Sequence, residues 1–116
     1  MKILTSKIAK KELVEKHLGY FKTMTKAVVD IEKETVAIDA ELHSDLEACL
    51  LENGSKQENL WGINLYPLKE KDDFIEYTAL INIRPHQDNN SMEIEDPKIR
   101  KQIRKIIDNL IDYETE

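Results

Sequence analysis

With 116 residues, 41% of them hydrophobic and 34% charged, the chain suits one independently folding domain and excludes a second core, a membrane-embedded protein and a disordered one. A formal net charge of -6 disfavours undirected attraction to nucleic acid or anionic lipid, so a phosphate-binding role needs a local basic patch. The single cysteine, Cys49, cannot close an intramolecular disulfide, the opening MKILTSKIAKKELVEKH lacks the apolar stretch of a secretory signal, and no run approaches the roughly 18 apolar residues of a membrane span, so a cytoplasmic location is expected.

In chain order, Lys2 to Leu4 predicts a short edge strand. From Ala9 to Leu18 a helical spacing places Leu13, Val14, His17 and Leu18 on one side, with Gly19 as the stop. A period of two begins at Lys26. Ala27, Val29 and Ile31 face one way, and after a polar turn at Lys33 and Glu34 so do Val36, Ile38, Ala40 and Leu42, which predicts a β-hairpin.

The next segment admits two readings. Ser44-Asp45-Leu46-Glu47 has the form of a helix capping box, with Leu42, Leu46, Cys49 and Leu50 on one face. Ala48 to Leu51, before Asn53-Gly54-Ser55, also suits a buried strand entering a hairpin, and the strand is preferred. LWGINLYP and FIEYTALINIRP both alternate as strands, with LKEKDD between them as a polar connection. Asp96 predicts an N-cap and Pro97 the first position of a C-terminal helix, whose apolar stripe is Ile99, Ile103, Ile106, Ile107 and Leu110. The terminal DYETE is expected to fray. The expected fold is α+β: an antiparallel sheet of about five strands connected as a meander, with the N- and C-terminal helices packed on one face. The other face would carry Asp30, Asp39, Glu41, Asn64, Glu76, Asn82 and Arg84, a polar surface that is either solvated or functional.

The segments AVVDIEK, ELHSDLEACLLENGSKQENLWGINLYP and INIRPHQDNNSMEIEDPKIR resemble a family of short bacterial and archaeal proteins classed as a domain of unknown function, with LWGINLYP and INIRP as signatures. The resemblance runs from Lys26 to the final helix and more weakly over the first helix. It implies a family loop of the form RPSQGNRS, so Asp88 and Asn90 stand where the family carries glycine and arginine, while Arg84, Gln87, Asn89 and Ser91 match. An anion site shared by the family would therefore have lost a positive charge here and gained a negative one. The resemblance implies an independently folding protein and no particular mechanism.

If residues 81–84 form a strand, Asn82 and Arg84 point away from Ile81 and Ile83, and Asn64 alternates onto the same face of a neighbouring strand. The planar fork of an arginine suits carboxylate or phosphate, and flanking amides fix orientation without adding charge. Asn64, Asn82, Arg84, Gln87 and Asn89 are the expected ligand-binding residues on this basis. A structural reading of the same residues pairs Arg84 with an acid such as Glu76 or Asp30 and has the amides brace a turn.

A second set, Glu41, His43, Asp45 and Glu47, shares one face of an extended strand and could hold a divalent metal or place a general base, with His86 as a further member. On a helix the set disperses. Its spacing matches no established metal signature, and neither a metal nor another cofactor is expected. Lys98, Arg100, Lys101, Arg104 and Lys105 are read as offsetting Glu93, Glu95 and Asp96, Trp61 as a core anchor and Cys49 as a small buried hydrophobe.

Two function classes follow. The preferred one is a non-catalytic binding module in which Arg84 and the amide loop recognise an anionic group on a small molecule or a protein partner. The alternative is a small metal-dependent hydrolase using the Glu41 to Glu47 face, for which an oligomer interface would supply the sheltered cleft. No membrane or nucleic-acid partner is expected, and a homodimer is compatible with either class.

Overall fold

A computed structural model of the chain describes residues 1–114. The expected hairpin is present as β3 (Thr25–Asp30) and β4 (Thr35–Ile38), with Glu34 at φ 58° in its turn. Asp30 is fully buried and holds that turn. Its Oδ1 accepts the backbone N–H groups of Glu32 and Lys33, each at 2.9 Å, and its Oδ2 accepts from Ser55 Oγ at 2.6 Å. The alternation expected to continue to Leu42 stops at Ile38, because Asp39 adopts φ 70°; Ala40 enters a different hydrophobic cluster and Leu42 is exposed.

Residues 44–52 are helical, which corrects the preferred strand reading. In α2 (His43–Glu52), Leu46 and Leu50 stand one turn apart and are both buried. Asn53-Gly54-Ser55 ends this helix as a Schellman motif: the Ser55 N–H donates to Leu50 O at 3.0 Å, the Gly54 N–H donates to Leu51 O at 3.1 Å, and Gly54 takes φ 92°. A pair that suits a hairpin turn is equally a helix stop, and the sequence signal was the same. No capping box forms, since the N-cap is Leu42 and Glu47 is drawn elsewhere.

α2 carries the chain across the sheet, so β5 (Leu60–Leu65) pairs with the far side of β3 instead of with β4. With β1 (Lys2–Leu4) beside β4 and β6 (Ile75–Glu76) beside β5, the order is β1-β4-β3-β5-β6. All five strands are antiparallel, as expected, but this order is not a simple meander. A separate parallel pair joins β2 (Ile8–Ala9) to β7 (Ile111–Asp112). The expected fraying therefore does not reach Asp112 or Tyr113, whose ring stands edge-on to Phe74 at 5.0 Å. Residues 115 and 116 lie outside the described part.

The N- and C-terminal helices share one face of the sheet. These are α1 (Lys10–Lys16), which stops short of Gly19, and α3 (Pro97–Leu110), capped by Asp96 accepting the Lys98 N–H at 2.8 Å. Leu13, Ile103, Ile106 and Ile107 meet Ala27, Val29, Val36 and Ile63 in the larger core, which also contains Trp61 at 2% exposure. On the opposite face, Leu46 and Leu50 of α2 cover Val28, Ala37 and Leu60. That face is thus partly roofed, which corrects the picture of a wholly polar surface.

FIEYTALINIRP is a strand only over Ile75–Glu76; 3₁₀ turns follow at Leu80–Asn82 and Pro85–Gln87. The cause lies in β5. Gly62 has no side chain, and Ala79 and Ile81 occupy the space that one would take. Gly62→Ala would bring a Cβ within 2.5 Å of Ala79 Cβ and 3.0 Å of Ile81 Cγ1. It should lower stability by about 1–3 kcal/mol in urea unfolding; an unchanged midpoint would show that residues 79–82 can move aside freely.

Candidate functional site

Of the expected ligand-binding residues, four are drawn into internal bonding. Arg84 is only 4% exposed, and burial lowers its pKa, an effect that the neighbouring Glu47 carboxylate only partly offsets. Its Nη2 donates to Glu47 Oε2 at 3.2 Å, Nη1 to Gln57 O at 2.9 Å and Nε to Ile81 O at 3.0 Å, and the guanidinium carbon lies 5.0 Å from the Trp61 ring centroid. This is the structural alternative, with Glu47 as the acid in place of Glu76 or Asp30.

Asn82, fully buried, exchanges two bonds with Gly62: its Nδ2 donates to Gly62 O at 2.9 Å, and its Oδ1 accepts the Gly62 N–H at 2.8 Å. Asn89 Nδ2 donates to the carbonyls of Asn82 and Glu93, both at 2.8 Å, and its Oδ1 accepts the Glu95 N–H at 2.9 Å. Gln87 Nε2 donates to Glu58 O at 3.1 Å. These side chains satisfy backbone groups of an irregular segment, which would otherwise be buried without partners. Asp88 holds φ 60° in the same loop, and His86 is exposed.

Asn64 stands apart from the other four. It lies in β5 directly opposite Lys26 of β3 on one side and Glu76 of β6 on the other, so cation, amide and carboxylate form one cross-strand row on the face that α2 only partly covers. Asn64 is 7% exposed; its Nδ2 donates to Glu76 Oε1 at 2.7 Å, while its Oδ1 has no hydrogen-bond partner. The row forms part of a groove of about 490 Å³, walled by Met24, Leu42, Leu80, Ile81 and Met92. That volume falls within the roughly 300–1,000 Å³ of small-molecule sites. Leu42, Leu80 and Met92 are 52%, 72% and 40% exposed, so the molecule leaves apolar surface at its rim.

His43 adjoins the groove and donates from Nε2 to Ile63 O at 2.8 Å, which leaves Nδ1 as an acceptor in the neutral ring. Burial pulls its pKa below the ordinary value and Lys26 acts the same way, against the Ile63 carbonyl and the Asn64 amide. The imidazole is therefore neutral at pH 7.

The strand face expected from Glu41, His43, Asp45 and Glu47 does not exist on a helix. Glu41 and Asp45 border a different hollow with Cys49, Glu47 pairs with Arg84 and His43 turns to the groove. Among the described residues no three His, Cys, Asp or Glu are grouped to hold a metal ion. Cys49 is half-buried and its thiol free, instead of fully buried. Sequence reasoning passed over Lys26, Leu42, Leu80 and Met92. Only strand register could have aligned Lys26 with Asn64, and register is not written in either strand alone.

Arg84→Ala should cost about 3–5 kcal/mol in urea unfolding, because Glu47 and two carbonyls lose their donor. Arg84→Lys should recover less than half, since one ammonium cannot replace a planar fork; a near-wild-type midpoint for either variant would assign Arg84 a role other than bracing. For His43, the depressed folded pKa means that the unfolded chain binds more protons below about pH 6.5, its unperturbed value, so this residue's stabilisation is present above that pH and lost as the pH falls through it. His43→Gln should flatten the difference in urea midpoint between pH 7.5 and pH 5, and an unaltered pH slope would contradict the assignment.

No helix among the described residues is long and apolar enough to cross a membrane. Neither a curated protein nor a solved structure matches the chain. A family model does match it, over residues 2–110, and its description is protein of unknown function (DUF5674). That span takes in the smaller core, all of the larger one before Ile111, the Arg84 cluster and the groove, and the chain belongs to this family.

Proposed function

We propose that the protein is a non-catalytic binding module whose ligand carries an anionic group on an apolar body, as a small molecule or as an exposed side chain of a protein partner. The observation that carries this reading is the groove, where Lys26 is the one cationic residue among the lining residues and apolar side chains form the walls. Lys26 is half-buried and its Nζ lies 4.9 Å from the Phe21 ring centroid, a position from which it can swing to an incoming carboxylate. Recognition thus rests on Lys26 and Asn64, while Asn82, Arg84, Gln87 and Asn89 hold the loop that supplies the Leu80 and Met92 walls.

The hydrolase alternative draws no support from the dispersed carboxylates. Polyanions such as nucleic acid are not the intended ligands, because the chain is acidic overall and Arg100 and Arg104 of α3 pair with Glu93 and Asp108. A reducing, cytoplasmic setting belongs to the same proposal and accords with the free Cys49 thiol.

Lys26→Met should abolish binding of amphipathic carboxylates such as hexanoate and phenylacetate, measured by isothermal titration, while stability stays within about 0.5 kcal/mol of wild type. Undiminished carboxylate binding in the variant would refute the assignment of Lys26.

A further inference from the structure

The geometry points to a free apolar α-amino acid as the ligand of this groove, its carboxylate on Lys26, its ammonium on Glu76, and its side chain against Leu80 and Met92. This inference rests on the binding-module reading and deepens it. A simple fatty or aromatic carboxylate would use Lys26 and the walls, but it would leave half of the row without a counterpart.

The row itself carries the argument. Lys26, Asn64 and Glu76 are register partners on three adjacent strands, so their side chains rise from the same face about 5 Å apart in sequence of cation, amide and carboxylate. Glu76 already leans over the amide, with its Oε1 2.7 Å from Asn64 Nδ2. The same oxygen receives Tyr66 OH at 3.2 Å, so the carboxylate is held in place from two sides. Asn64 Nδ2 also donates to Thr78 O at 3.2 Å, so the amide, 93% buried, is a fixed spacer between the two charges of the row.

A carboxylate fixed at one end of the row favours a donor that is also positively charged. An ammonium meets that demand, whereas a backbone amide N–H offers one proton and no charge. The α-amino acid places its carboxylate on the carbon that bears the ammonium, matching a site whose cation and anion flank a single amide. Branched and thioether side chains at the wall select an aliphatic body over a polar one.

The test is isothermal titration of the full chain with four probes: L-leucine, N-acetyl-L-leucine, L-leucinamide and hexanoate. Leucine should bind at least tenfold more tightly than each of the others, because N-acetylation removes the ammonium charge and amidation the carboxylate. Glu76→Gln should weaken leucine at least fivefold and leave N-acetyl-L-leucine unchanged, and Lys26→Met should weaken leucine while sparing leucinamide. Folding of each variant is checked by its urea midpoint. Binding of N-acetyl-L-leucine or hexanoate as tightly as leucine would overturn the amino-acid inference and leave the anion-binding module standing. Silence of all four probes would overturn both.

Discussion

The constraint on which the rest depends is that a buried backbone polar group must be bonded, and the chain between Thr78 and Glu95 sends Ala79, Asn82, Arg84, Asn89 and Ile94 into the interior without belonging to an α-helix or a sheet. Neither a helix nor a sheet ladder is available to satisfy it. Three side chains do so instead: Asn82 bonds Gly62, Asn89 bridges the carbonyls of Asn82 and Glu93 to the Glu95 N–H, and Arg84 gathers the carbonyls of Gln57 and Ile81 together with Glu47. Removing one partner from such a network leaves the others desolvated, so its members act as a unit. The cluster also ties α2 to the turns after β6, because Glu47 belongs to one and Arg84 to the other.

The groove is a by-product of that arrangement. Were residues 77–84 a full strand, they would pair along β5 and continue the sheet. Because they instead fold into 3₁₀ turns, Leu80 is turned outward at 72% exposure and the face over Asn64 stays open. On its other side the opening is limited by the start of α2, where Leu42 and His43 stand. The rigid part of the site is the strand row of Lys26, Asn64 and Glu76, and the adaptable part is the apolar rim. This division suits binding, since polar groups set orientation and flexible thioether and aliphatic chains accommodate shape.

Much of the architecture was legible in the residues. The β3–β4 hairpin followed from alternation around Lys33 and Glu34, α3 from Asp96-Pro97 and its isoleucine stripe, and the α+β class from their sum. What failed did so for identifiable reasons. Asn53-Gly54 signals both a hairpin and a helix end, and the choice depended on Leu46 and Leu50 finding a sheet to cover, which is a tertiary fact. INIRP alternates as a strand would, yet the alternation is defeated by Gly62 on a neighbour, whose missing side chain admits Ala79 and Ile81. The polar loop was conspicuous in the sequence, but residues rich in hydrogen-bonding capacity are equally apt to serve the backbone as a ligand. Arg84 could be distinguished from a ligand-binding arginine only by its burial, and Lys26 could be matched to Asn64 only by register.

Asn82 has one more consequence. β5 runs past the two residues of β6, and the unpaired length presents the N–H and C=O of Gly62, the kind of edge onto which a strand from another molecule can add. The Asn82 amide takes both groups and ends the ladder there, since a side chain offers no onward backbone for a further strand. Leu80 and Met92 can therefore stay exposed without a template for edge-to-edge aggregation beside them, and a single asparagine closes that margin to other strands.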